Sequence, residues 1–164
     1  MVMRIPSYEM THRSENVAFN DRVKIINEII EESKSNPELI LRTKGIISGL
    51  DPPREQYDFT ISEAIHTYLK RNVPFRKDVF GVETIQYPLQ TLQYGGDCDC
   101  MTVLAGSQLQ AVGIETKLAV SKQDSNFFDH IFLYLPSIDH IFDLTIPIPY
   151  NLVTKEHYPG IKIL

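Results

Sequence analysis

Apolar residues at helical spacing through the first half of the chain, a change to strand alternation after Gly113, and turn residues between the segments predict an α+β protein. Helices come first and antiparallel strands last, and the helix between them carries both cysteines.

Asn20 is placed to cap a helix reaching about Ser35, with Val23, Ile26, Ile29 and Ile30 on one face and charged residues on the other. Residues 1–17 before it read as an extended N-terminal arm. Pro37 opens a shorter helix, which Gly49 and Asp51-Pro52-Pro53 end. Thr60-Ile61-Ser62-Glu63 has capping-box spacing ahead of Ala64, Ile65, Tyr68 and Leu69 at helical intervals. From Pro74 to Gly96 the periodicity fades, and Pro74, Gly81, Pro88 and Gly95-Gly96 punctuate a long ordered loop of the kind that usually carries function. Asp97 can then cap a helix to about Val112, with Met101, Leu104, Ala105, Leu109 and Val112 buried and Gly113 closing it in a left-handed conformation. Thr116, Leu118 and Val120 share one side of a first strand. A second, His130 to Leu135, follows a polar loop, and a third, His140 to Ile146, follows Pro136-Ser137-Ile138-Asp139.

With 164 residues the chain makes a single domain that buries about two thirds of its unfolded surface, so it is expected to fold without a disulfide or metal staple. A 43% hydrophobic, 23% charged composition excludes the disordered, fibrous and membrane classes. Net charge is −5 with no basic run, which argues against nucleic acid and against an anionic membrane surface as partners. The first residues lack the apolar core of a signal peptide, and two cysteines one residue apart cannot staple distant segments. The expectation is a chain that begins at Met1 and works in the reducing cytoplasm.

Gly95-Gly96-Asp97-Cys98-Asp99-Cys100 places Cys98 in the first turn of the predicted helix, among unpaired N–H groups at the positive end of the helix dipole, and both features favour a thiolate. The glycines would let a substrate approach, and the Cys98 N–H could face a developing oxyanion. Asp97 and Asp99 oppose the thiolate, so a histidinium partner is required. Of His12, His66, His130, His140 and His157, two lie on predicted strands. If Leu135 and His140 flank the turn as a pair, Phe132 faces Asp143 and His130 faces Thr145. His130 and Asp143 then share one face as diagonal neighbours, and His140 points to the other. A turn one residue longer or shorter would reverse this.

Thiol, histidine and carboxylate in this order supply the nucleophile, base and orienting group of acyl transfer. The run GGDCDCMTVLAGSQLQAVGIETKLAV, then DHIFLYL, then HIFDLT, resembles the transglutaminase-like superfamily, nearest its short bacterial and phage members. A weaker likeness extends from Ile61 through Asp78 to Glu83 and on to Leu92. The resemblance implies a papain-like α+β fold, with Cys98 attacking an amide or ester carbonyl, His130 as general base and acid, and Asp143 orienting His130. The implied partner is a protein or peptide substrate, with no cofactor and no metal. Cys100 stands where relatives often have a second aspartate, and the chain has no tryptophan, which leaves the second oxyanion donor to Gln90 or Gln93.

Other readings stand beside these. Cys98 could be a small buried hydrophobe, and Cys100 is read as packing rather than a resolving thiol. His12, His66, His140 and His157 are read as structural. A zinc site using Cys98, Cys100 and His130 or His140 lacks the C-x-x-C and paired-histidine spacing that structural zinc favours. In a second class of function, the same fold serves as a phage virion component that docks other proteins, with the triad retained or idle.

Overall fold

The computed structural model describes residues 7–11, 15–79, 82–123 and 126–164, with side chains from Phe19 onward except Val82. His12 and Gly81, singled out above, lie outside the described residues.

Helix α1 (Glu15–Ser33) begins ahead of the expected cap, and Asn20 sits exposed inside it. The apolar stripe extends back to Phe19, which stacks on Phe128 with ring centroids 5.7 Å apart, so helical pairing continues through Asn20. Helix α2 (Pro37–Ile46) starts where Pro37 indicated, capped by Asn36, whose Oδ1 accepts from the N–H groups of Glu38 at 3.0 Å and Leu39 at 3.2 Å. Helix α3 (Tyr57–Asn72) follows directly on a 3-10 turn, Arg54–Gln56, so Thr60 lies within the helix and caps nothing. Ser62, from that same motif, donates instead to the carbonyl of Asp58 one turn back.

The segment between Pro74 and Gly96 is not the single loop expected. It holds strand β2 (Val82–Gln86) and helix α4 (Pro88–Tyr94). Strand β2 pairs antiparallel with β1 (Ser7–Thr11), Ser7 opposite Gln86, so five residues of the supposed arm are sheet and its last residues belong to α1. A strand whose partner lies so far away in sequence leaves no local hairpin signal, and α4 is too short for a 3.6-residue period to register.

Helix α5 (Cys98–Ala111) matches the expectation. Asp97 caps it, Oδ1 accepting from the Cys100 N–H at 3.2 Å, and Gly113 follows it at φ +86°. Four antiparallel strands form the main sheet in the order β5-β4-β3-β6: β3 (Lys117–Ser121), β4 (His130–Leu135), β5 (His140–Phe142) and β6 (Lys162–Ile163). Strand β5 is shorter than expected because the Asp143 carboxylate accepts the Thr145 N–H at 2.8 Å, a local turn that takes the chain out of the ladder.

Helix α5 packs on one face of this sheet. Ile131, Leu133, Leu135 and Phe142 meet it there and join Ile26, Ile29, Leu39, Ile61, Ile65 and Leu69 in the main core. On the other face, Ala119, Phe132, Ile141, Val153 and Tyr158 form a smaller cluster under the C-terminal segment. Among the described residues no helix is long and apolar enough to cross a membrane.

Candidate active site

The glycine pair that precedes the cysteines has a packing reason. Gly95 adopts φ +78°, and a Cβ there would fall 2.1 Å from the Pro74 carbonyl oxygen. A Cβ on Gly96 would fall 2.4 Å from the Cβ of Cys100. These glycines therefore let the segment at Pro74 and the first turn of α5 close on each other.

The two thiols diverge from this turn. Cys100 is buried and donates to the Thr84 carbonyl at 3.3 Å, and burial pushes its pKa up. Cys98 is half-buried, with its sulfur 3.6 Å from Asp99 Oδ1 and the Ile131 backbone N–H facing it. Burial, then the charges of Asp99 and Asp97, hold the Cys98 thiol well above its ordinary pKa, while the Ile131 N–H and Arg22 work the other way.

Arg22 is the contribution that sequence reading missed. Its guanidinium lies 3.2 Å from Glu83 Oε1 and 3.4 Å from Asp99 Oδ2, the latter an ion-pair contact without hydrogen-bond alignment. The pairing ties α1 to β2 and to the cysteine helix. Arg22 sits three residues after Phe19 and four before Ile26, inside the apolar stripe, and that spacing was the available signal. Even so, burial keeps the Asp99 carboxyl well above the usual carboxylate range, with Asp97 and Glu83 adding to it. Burial and the Asp78 charge likewise raise Asp97, to about 6. Thus the repulsion expected from the two aspartates is offset only in part by Arg22 and the Ile131 N–H, and the thiol pKa stays raised.

Strands β4 and β5 supply the other two groups. Leu135 pairs with His140 and Leu133 with Phe142, the register on which the parity argument rested. His130 Nε2 lies 2.7 Å from Asp143 Oδ2, and His140 turns to the opposite face, where it donates to the Tyr150 carbonyl at 2.8 Å. Asp143 is held by further donors: the Thr145 N–H and hydroxyl, each at 2.8 Å on Oδ1, and the buried Tyr158 hydroxyl at 3.0 Å on Oδ2. Burial works to raise the Asp143 pKa, but the bond and charge of His130 and the two Thr145 donors outweigh it and hold the carboxylate below its ordinary range. The Tyr158 ring lies parallel to His130, at 3° and 6.2 Å between centroids. Behind Asp143, buried His66 donates from Nε2 to its backbone carbonyl at 2.8 Å, so a histidine read as structural braces the loop that carries the carboxylate.

One residue links the two halves. Ile131 follows His130, and its N–H faces the Cys98 sulfur while its carbonyl accepts from Thr102 Oγ1 of α5 at 3.2 Å. Strand β5 stops opposite Leu133, which leaves this stretch of β4 free to receive the helix. Among the described residues no hydrogen bond joins the Cys98 sulfur to His130, since the thiol contacts Asp99 instead. A cavity of about 350 Å³ lies beside His130, lined also by Gln123, Asp129, Thr145 and Ile146.

Of the oxyanion candidates, Gln90 is half-buried on α4 with its Oε1 unpartnered, and Gln93 is exposed on the same helix. No hydrogen bond joins either to Cys98 among the described residues. Cys98, Cys100, His130 and His140 do not gather as a metal site. Asp78, Glu83 and Asp97 do come close, with ligand oxygens within 4.8 Å of one another, and are the described group that could hold a cation. Comparison with protein-family models, with curated proteins and with solved structures returned no match.

Proposed function

We propose that this chain is a transglutaminase-like thiol acyltransferase or amidase that acts on a protein or peptide carbonyl through Cys98, His130 and Asp143. The observation that carries the reading is the 2.7 Å contact between His130 Nε2 and Asp143 Oδ2, on a strand whose next peptide unit lies against the Cys98 thiol. With Nε2–H donating to an ionised Asp143, the imidazole presents unprotonated Nδ1 as a base.

Catalysis begins when the thiol rotates from Asp99 toward His130. Nδ1 takes the thiol proton, and the sulfur attacks the carbonyl carbon to form a tetrahedral adduct whose oxyanion faces the N–H groups at the start of α5. Nδ1–H then protonates the leaving amine, and the adduct collapses to a thioester. Water or a second amine, deprotonated by the same Nδ1, attacks the thioester and releases Cys98. The neighbouring cavity beside His130 and Thr145 is where that acceptor would enter.

The test is incubation with an activated ester such as p-nitrophenyl acetate, followed by intact-mass and peptide mapping. A burst of nitrophenolate, with a transient acetyl group on Cys98 that is lost in Cys98→Ala, supports the reading. No adduct on Cys98 under any acyl donor refutes it.

One observation favours a second reading, a structural or interaction protein such as a virion component with the triad idle: burial and two neighbouring aspartates push the Cys98 thiol pKa up. Iodoacetamide separates the two. Faster alkylation of Cys98 than of a denatured-state thiol at neutral pH supports the enzyme, and slower alkylation supports the idle triad.

A further inference from the structure

Strand β5 ends at Phe142, and the next residues include Asp143, Thr145 and Ile146, all beside His130. A segment that has left the ladder needs other partners for its carbonyls. Helix α3 provides them. His66 Nε2 donates to the Asp143 carbonyl at 2.8 Å, and Lys70 Nζ donates to the carbonyls of Leu144 and Ile146, both at 2.7 Å. Residues 66 and 70 stand one turn apart on the same face of α3, so two side chains grip three carbonyls.

The remaining bonds to this segment act differently. Thr145 belongs to the segment, so its N–H and hydroxyl shape the turn on Asp143 without fixing where that turn lies. Tyr158 bonds the carboxylate rather than the backbone. His66 alone would give one point about which the segment can swing. Lys70 adds points one and three residues further on, and together they set its direction. An ammonium suits the task, because it offers three N–H donors and its charge strengthens each bond to a carbonyl oxygen. Burial lowers the Lys70 pKa and the Asp143 charge works the other way, so cation and carboxylate support each other across the turn. We infer that Lys70 is a positioning residue for the His130–Asp143 pair: its two carbonyl bonds hold the 143–146 backbone so that Asp143 Oδ2 meets His130 Nε2 and Ile146 keeps its place in the cavity wall. Its effect on catalysis rests on the acyl-transfer reading above, whereas its effect on the ring does not. Without it, Asp143 withdraws from Nε2 and the proton of neutral His130 divides between the two ring nitrogens, so less of the imidazole presents Nδ1 as a base.

The full chain labelled with ¹⁵N-histidine tests this, because ¹⁵N–¹H spectra at about pH 8, above the ordinary histidine range, show which ring nitrogen carries the proton. Wild-type His130, assigned by its absence from His130→Gln, should carry the proton on Nε2. Lys70→Met keeps the alkyl stem and the helix propensity at an exposed position but lacks the ammonium. In it the His130 signals should move to the average of two tautomers, while those of His157, whose bonds stay within residues 154–157, should not move. Lys70→Arg, with a charged fork that can reach two carbonyls, should restore the wild-type pattern. The p-nitrophenyl acetate burst should slow about tenfold or more in Lys70→Met. Lys70 loses this role if wild-type His130 already divides its proton or carries it on Nδ1, if Lys70→Met leaves the His130 signals unchanged or moves those of His157 as far, if Lys70→Arg behaves as Lys70→Met, or if a wild-type burst is unchanged in Lys70→Met. Redistribution of the proton in Lys70→Met, with no acyl adduct on wild-type Cys98, would keep the positioning role and refute the acyl-transfer reading.

Discussion

Replacing Tyr158 by Phe removes one oxygen from the support of Asp143 and nothing else. The hydroxyl donates to Asp143 Oδ2 at 3.0 Å, whereas the ring, packed on Phe132 at 4.2 Å and parallel to His130, stays in place and buries the same apolar area. A hydrogen bond to a charged acceptor is worth about 1.5–3 kcal/mol, and this should be the cost at neutral pH. Urea titration reads it as a lower midpoint at unchanged m, and heating as a fall in Tm of roughly 3–12 °C for a domain of this size. The pH dependence identifies the cause. Folding holds the Asp143 pKa below its ordinary value, so the stabilisation is full above the unfolded value of about 3.9 and is lost as pH falls through the lower folded value. Losing a donor raises that folded value, so the gap between wild type and Tyr158→Phe should close as pH drops below about 4. In an Asp143→Asn background, where the acceptor is neutral, the same substitution should cost roughly half as much. A cost that stays constant from pH 7 to 3, or that is unchanged in the Asp143→Asn background, would show that the hydroxyl acts through packing and would refute the reasoning.

Other outcomes follow from the same contacts. Cys98→Ala should abolish any esterase, amidase or transamidase activity, while Cys100→Ala keeps most of it; an inactive Cys100→Ala with normal Cys98→Ala would mean the wrong sulfur was chosen. Gly96→Ala should destabilise by about 1–3 kcal/mol in chemical denaturation, and Cys100→Ala should not rescue it, because the clash is with the Cys100 Cβ. With the folded pKa of Asp97 raised to about 6, stability should fall as pH rises from about 4 to about 6; Asp97→Asn, which can still cap α5, should flatten that part of the profile. A slope unchanged in Asp97→Asn would place the titration on another group.

The helix start at Asp97 and the strand register at Pro136–Asp139 were legible because each is fixed by local chemistry. Asp97 has a side chain that can reach the N–H three residues on, and Pro136 begins a 3-10 turn that ends with Asp139 at φ +48°, so the turn length sets which faces His130 and Asp143 share. Arg22, Tyr158 and the β1–β2 pairing were not legible, since each acts through a partner distant in sequence. Arg22 read as part of a solvated face, and nothing near Tyr158 in sequence announces that its hydroxyl reaches Asp143. The glycine pair stood out in sequence for substrate approach, and the fold shows a packing role that no local pattern announced: its smallness serves Pro74 and Cys100.

Ile131 has a consequence for how precisely the candidate nucleophile and base can be held. Sulfur and imidazole are both positioned from consecutive residues of one strand, one through the Ile131 peptide N–H and the other through the adjoining Cα, while Thr102 pins the same residue's carbonyl to α5. A shift of the sheet against α5 would have to break these contacts, so while they hold, the freedom left between sulfur and ring is side-chain rotation. Motion of α1 would move Arg22 and change the charge around the thiol without changing its separation from the ring. Reactivity could then be adjusted from the first helix while the spacing of the reacting atoms stays constant.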